Sequence, residues 1–219
     1  MASIDSRIIS NVFIAFFAFV SQFAVANTLI EFDTPYIVAE EKDGKINGYY
    51  GLTLPGVESI RPPVSCRFFF TSASKPEHSS QLTVQTFSTD STYKNRDPAE
   101  DLPGELVIAG ERWTIQMERL PDGCLTAAGG GFQKGSAVPN SVEKRTPIVG
   151  LLVIRGKSNF FDYKNGGFSK RNGFLVRGDV VVALDKRNDF YFVKFLNDTS
   201  GRTSTGWVKI SDTVTPFPE

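Results

Sequence analysis

The sequence predicts an all-β protein of two consecutive domains, the first pinned by a disulfide. Short runs of β-branched and aromatic residues recur along the chain, separated by Gly, Pro, Asn and Asp clusters. No segment after residue 26 keeps a helical apolar period over three turns. Cys66 and Cys124 both fall in the first part of the chain and form an even pair.

The first residues read as an export signal. Arg7 opens a short basic start, Ile8 to Val20 is an almost unbroken apolar run, and Ala24-Val25-Ala26 has the small-x-small pattern of a cleavage site. The run is shorter than the roughly 20 residues of a membrane span, which disfavours an uncleaved anchor. Residues 1–26 are therefore expected to be removed on export, and the only membrane contact expected is through this segment. Export gives Cys66 and Cys124 an oxidising compartment, so the pair reads as a disulfide. The expected location is the bacterial periplasm or the exterior.

The first domain is expected over residues 27–132. Leu29 to Val38 contains Pro35 and reads as an edge strand or lead-in. Asp43-Gly44 marks a hairpin tip before the Ile46–Leu54 strand, whose Gly48 and Gly51 signal a bulge or a close backbone approach. Val64 to Phe70 is a strand with Cys66, Phe68 and Phe70 on one face. A polar stretch holding His78 precedes the alternating strand Gln81–Phe87. Ser88 to Gly104 is a long polar loop, expected to be the most mobile part of the domain. Glu105–Ala109 and Arg112–Leu120 form a hairpin about Gly110, and Pro121-Asp122-Gly123 turns the chain into Cys124.

Residues 133–147 are poor in apolar side chains, carry Pro139 and Pro147, and read as a linker. The second domain, 148–219, opens with the apolar run Ile148–Ile154 and continues with three strand-like runs between Gly173 and Asp212.

Several function classes find no support in the residues. The chain has 24 basic and 24 acidic side chains, so it lacks the electrostatic footprint of a nucleic-acid binder. The single histidine, His78, has no Cys, His or Asp cluster at ligand spacing, and neither a metal nor another cofactor is expected. Gly129-Gly130-Gly131 is followed by no Lys-Ser/Thr pair and reads as a flexible turn rather than a phosphate cradle. Adjacent acids such as Glu40/Glu41 and Glu100/Asp101 point to opposite faces of an extended chain and make no acid/base pair. A cysteine peptidase built on Cys124 would need a histidine base within reach. His78 precedes the cysteine, and no helix is indicated to carry a nucleophile. The disulfide is the preferred reading, and no catalytic residue is assigned.

The C-terminal part resembles the bacterial SH3-like domain of exported proteins. The resemblance rests on the early aromatic segment Ser158-Asn159-Phe160-Phe161-Asp162-Tyr163 and on Leu175-Val176-Arg177-Gly178-Asp179-Val180-Val181. It also rests on the central strand Tyr191–Phe195 and the closing Gly206-Trp207-Val208-Lys209-Ile210. It implies a small barrel that holds extended peptides or cell-wall peptides on exposed aromatics, with Phe161, Tyr163, Tyr191 and Trp207 as candidates. Barrel core is the favoured reading for each of Phe161, Phe192 and Trp207, whereas Tyr163 reads as a loop residue among polar neighbours and is the best exposed candidate. The Lys164–Asn172 stretch reads as a loop that leaves the groove unspecified.

With Gly-x-Ile-x-Gly-Tyr-Tyr at Gly44 to Tyr50, Val-Ser-Cys-Arg-Phe-Phe-Phe at Val64 to Phe70, Trp113-Thr114-Ile115 and Gly123-Cys124, the first domain is loosely similar to small exported bacterial β-proteins, some of which are inhibitors or immunity factors. The resulting expectation is an exported non-catalytic binding protein that occludes a protein partner, such as a cell-envelope toxin or enzyme. A peptidoglycan-binding module acting through the SH3-like groove is the alternative.

Overall fold

The computed structural model describes residues 27–58, 60–73 and 80–218. The expected export segment and His78 lie outside the described residues. The chain is all-β. Eight strands close an antiparallel barrel: β1 (Asn27–Phe32), β2 (Ile37–Lys42), β3 (Lys45–Leu54), β4 (Val64–Ser72), β5 (Gln81–Phe87), β6 (Leu102–Ala109), β7 (Arg112–Met117) and β8 (Asn140–Ile148). The predicted lead-in at Leu29–Val38 is itself a hairpin, with Pro35 in the turn between β1 and β2. Asp43 and Gly44 turn β2 into β3 with φ of 50° and 73°, the left-handed pair a tight hairpin requires.

Gly48 and Gly51 are close approaches and not bulges, because the β3–β4 ladder runs through both in unbroken register and the β2–β3 ladder does so through Gly48. A Cβ on Gly48 would lie 2.1 Å from the Phe70 ring, and one on Gly51 would lie 2.0 Å from the Tyr49 hydroxyl. Inside the barrel, Phe68, Phe70, Tyr50, Trp113 and Phe132 pack with aliphatic residues from every wall. Cys66 on β4 is bonded to Cys124, which opens the one-turn helix α1 (Cys124–Ala127) against the barrel wall.

The expected linker 133–147 contains the closing strand instead. β8 pairs with β1 from Asn27↔Ile148 to Phe32↔Val142 and meets β7 at Trp113↔Asn140. The N-terminal unit therefore runs to Ile148 and does not end at Phe132. Composition misleads here for a physical reason. The strand is fixed by backbone pairing on both edges, so few apolar side chains are needed, and Glu143, Lys144 and Arg145 are exposed.

The second unit is a seven-stranded antiparallel half-barrel. Its strands are β9 (Gly150–Ile154), β10 (Ser158–Lys164), β11 (Gly167–Leu175), β12 (Val180–Arg187), β13 (Phe190–Leu196), β14 (Thr203–Lys209) and β15 (Thr213–Val214). They lie in the order β11-β10-β14-β13-β12-β9-β15. The stretch expected as a loop, Lys164–Asn172, is the β10–β11 hairpin, turning at Asn165 (φ 51°) and Gly166 (φ 79°). One face packs its own core of Ile154, Phe160, Leu175, Val181, Val193 and Val208. Gly206 lets β14 approach that core, since a Cβ there would meet Phe160 at 2.7 Å.

The two units share a third core. Barrel side chains that point outward, Leu29, Val38, Tyr49, Phe69 and Phe87, meet Leu151, Val153, Val180 and Val182 of the second sheet. β9 and β12 are thus apolar on both faces, which explains why Leu151–Ile154 and Val180–Leu184 read as continuous apolar runs without alternation. Phe217 seals this junction, with ring centroids 5.6 Å from Phe69 and 6.4 Å from Phe87. Polar links reinforce it: Glu31 pairs with Lys194, and Asp198 takes Arg67 at 3.3 Å and the Thr53 hydroxyl at 3.0 Å. The polar loop after β5 is tied down as well. Arg96 donates to both Asp101 carboxylate oxygens and lies 3.5 Å over the Tyr93 ring, while the Tyr93 amide donates to the Pro216 carbonyl.

Candidate functional site

The barrel-facing side of the second sheet continues past the barrel. On β13, Leu196 packs into the shared core and Lys194 reaches Glu31. The two-residue period then puts Phe192 and Phe190 on the same face, farther out. Cross-strand register adds the rest: Phe192 opposes Trp207, Trp207 opposes Phe161, and Tyr163 opposes Phe168. The result is a cluster of six half-buried rings on four strands.

The rings touch one another in a connected chain. Phe168 stacks on Phe190 at 3.8 Å and 17°, Phe161 meets Phe190 edge-on at 5.1 Å, and Phe168 meets Trp207 edge-on at 5.5 Å. Phe192 and Tyr163 complete the set, 5.3 Å and 6.3 Å from Trp207. Edge-to-face and offset pairs of this kind each add about 0.5–1.5 kcal/mol beyond area burial. The face is therefore firm before anything lands on it.

Cations border the rings. Arg187, at the exposed end of β12, lies 4.4 Å from the Tyr163 centroid and 5.9 Å from that of Trp207. It opposes Phe190 on one side, and Lys209 opposes Phe190 on the other. Among the described residues neither cation joins an ion pair. Asp185 opposes Phe192 on the same face and is exposed.

Of the four aromatic residues expected from the sequence, Phe161, Tyr163 and Trp207 come together here. Tyr191 does not. It opposes Val208 and packs on the sheet's other face against the domain core. Phe168, Phe190 and Arg187 were missed. Phe190 shares its parity with Phe192, a readable signal, but Phe168 reaches the cluster only because Lys164–Asn172 is a hairpin and not a loop.

The cysteines settle one chemical alternative. Cys124 is bonded to Cys66, both are fully buried, and no free cysteine exists among the described residues. A Cys124 thiolate nucleophile is therefore not available in the folded chain. No group of three or more His, Cys, Asp and Glu side chains is placed to hold a metal among the described residues. A concavity lies where β4 and β5 part at one end of the barrel, with Phe68, Thr86 and Leu102 in its floor and Arg119, Glu100 and Asp122 on its rim. Among the described residues Glu40 is the most deeply buried carboxylate. Desolvation raises its pKa above the usual value, and hydrogen bonds from the Leu151 amide and Asn47 partly offset the rise. It belongs to the junction between the units and not to either surface.

Comparison with protein-family models, with curated proteins and with solved structures returns no match.

Proposed function

We propose that this chain is an exported, non-catalytic binding protein that occludes a protein partner, acting in the bacterial envelope as an inhibitor or immunity factor. The observation that carries the reading is the firm aromatic face bordered by Arg187. Tyr, Trp and Arg dominate the energetics of protein interfaces, and Phe is enriched there, because they supply large contact area with little conformational freedom to lose. Two sheets fused through an apolar core hold that face rigid, which lowers the ordering cost of binding. The SH3-like reading of the C-terminal unit is supported by the aromatic β10 strand lying beside the Gly206-Trp207-Val208 strand. The disulfide supports the exported location, since such bonds persist in oxidising compartments.

The test is affinity capture with the oxidised chain from Asn27 onward, using a periplasmic extract and the products of neighbouring genes. One stoichiometric protein, held by the parent and lost with Trp207→Ala or Phe168→Ala, is the expected result. A partner retained by both variants would defeat the assignment of the face. Tyr163 and Trp207 also suit stacking on a sugar or peptide of the cell wall. That second reading predicts sedimentation of the protein with purified peptidoglycan and no protein partner.

A further inference from the structure

We infer that the aromatic face takes an acidic segment of its partner, with apolar side chains on the rings and carboxylates on Arg187 and Lys209 at either side of the Phe190–Phe168 stack. This rests on the reading of that face as a protein-binding surface. The geometry is specific. Arg187 and Lys209 oppose Phe190 from the two neighbouring strands, so their backbones stand about 10 Å apart, two strand spacings. Phe168 lies stacked over Phe190 between them. An apolar side chain resting on this ring pair is flanked by a cation on either hand.

Arg187 is held for the task. Its guanidinium lies 4.4 Å from the Tyr163 ring centre, which seats it on the ring while leaving N–H donors unused by any carboxylate among the described residues. A guanidinium seated in this way loses little freedom on accepting a bidentate carboxylate. The other charges nearby set the direction of the preference. Lys170 opposes Phe161 on the same face, whereas Arg171 and Asp162, 3.6 Å apart, belong to the sheet's other face, where Arg171 lies over Phe160. Asp185 faces Phe192, one pair farther in, and steers an incoming carboxylate toward the Arg187–Lys209 end. Asp189, exposed in the β12–β13 turn beside these cations, tempers their charge without pairing with either.

The experiment uses three dye-labelled, end-blocked peptides with the repeats Phe-Phe-Glu-Glu (Glu-Phe), Phe-Phe-Gln-Gln (Gln-Phe) and Phe-Phe-Lys-Lys (Lys-Phe), which put both residue types on each face of an extended chain, titrated by fluorescence anisotropy against the disulfide-bonded chain. The Glu-Phe peptide is expected to bind at least tenfold more tightly than Gln-Phe, and Lys-Phe more weakly still. Raised salt narrows the gap. Arg187→Glu should weaken Glu-Phe binding at least tenfold and strengthen Lys-Phe, while Arg187→Lys should keep the order at reduced affinity. Trp207→Ala should weaken all three, and thermal melts check that each variant is folded. Equal binding of Glu-Phe and Gln-Phe, with both lost in Trp207→Ala, overturns the acidic preference but leaves the aromatic face as a binding surface. Binding indifferent to Trp207→Ala, or no binding of any peptide, overturns both.

Discussion

The Glu40 carboxylate of the barrel accepts a hydrogen bond from the Leu151 amide of the second sheet at 2.8 Å, at a site that is 2 % exposed. Its other oxygen accepts from the Asn47 side-chain amide at 3.2 Å, and Asn47 in turn accepts from the Thr71 hydroxyl at 2.7 Å. A barrel side chain thus completes the hydrogen bonding of the first strand beyond the barrel. The two units share polar as well as apolar contacts, and their stabilities should be coupled.

Removing the carboxylate strands two buried donors. Glu40→Ala is expected to cost about 2–6 kcal/mol, since each of the two orphaned buried groups costs about 1–3 kcal/mol. Urea denaturation at neutral pH measures it, and a variant as stable as the parent would refute the coupling.

Glu40 also predicts a pH dependence of definite sign. Burial raises its pKa in the folded state above the value of 4.5. The folded chain therefore binds this proton more tightly than the unfolded chain. Its favourable contribution is complete below the unfolded pKa and is lost as pH rises through the folded pKa. Glu40→Gln should remove that term, so the stability of the variant relative to the parent should rise with pH above 4.5 and then level off. A difference that stays flat across that range would contradict the assignment.

Phe217 fills the junction between Phe69 and Phe87 and is 4 % exposed. Phe217→Ala should destabilise by about 3–5 kcal/mol, the usual cost of emptying a buried Phe site. Because the lost contacts belong to both units, parent and variant should each melt in one transition. Calorimetry showing two separate transitions in the parent would overturn the shared-core description.

The Cys66–Cys124 bond spans 58 residues of sequence. Restricting the unfolded chain over a loop of that length is worth on the order of 4 kcal/mol. The double variant Cys66→Ala/Cys124→Ala should lose a sizeable part of it in denaturant titration. Native parent protein should release no titratable thiol without reductant, and a labelled Cys124 in the folded state would reopen the nucleophile reading.

Gly48→Ala should be costly while Gly156→Ala should be nearly neutral. A Cβ at Gly48 falls 2.1 Å from the Phe70 ring in a filled wall, whereas at Gly156 nothing lies within 4 Å. Overpacking of this kind costs about 1–3 kcal/mol. Equal melting temperatures for the two variants would show that Phe70 can move aside.

The sequence by itself determined the all-β class, most strands, the hairpin tips at Asp43-Gly44 and Gly110, and the cysteine pair. Each is a local matter: a two-residue period, a left-handed turn residue, or an even cysteine count. Phe161, Tyr163 and Trp207 were named from the C-terminal resemblance, and strand pairing gathers them on one face of the second sheet. Tertiary structure alone decided the rest. β8 is a strand because β1 and β7 need its backbone, and a composition poor in apolar residues conceals that. Tyr191 and Phe192 are neighbours in sequence, yet one enters the core and the other joins the aromatic face, a choice set by strand register. Arg187, Phe190 and Lys209 meet only across three strands. Glu40 looks like a turn charge in the sequence and becomes a buried acceptor because Leu151 arrives from more than a hundred residues away. Local chemistry is written in the order of residues, but the pairing of distant strands depends on the free energy of the whole assembly, and that pairing decides which faces are covered.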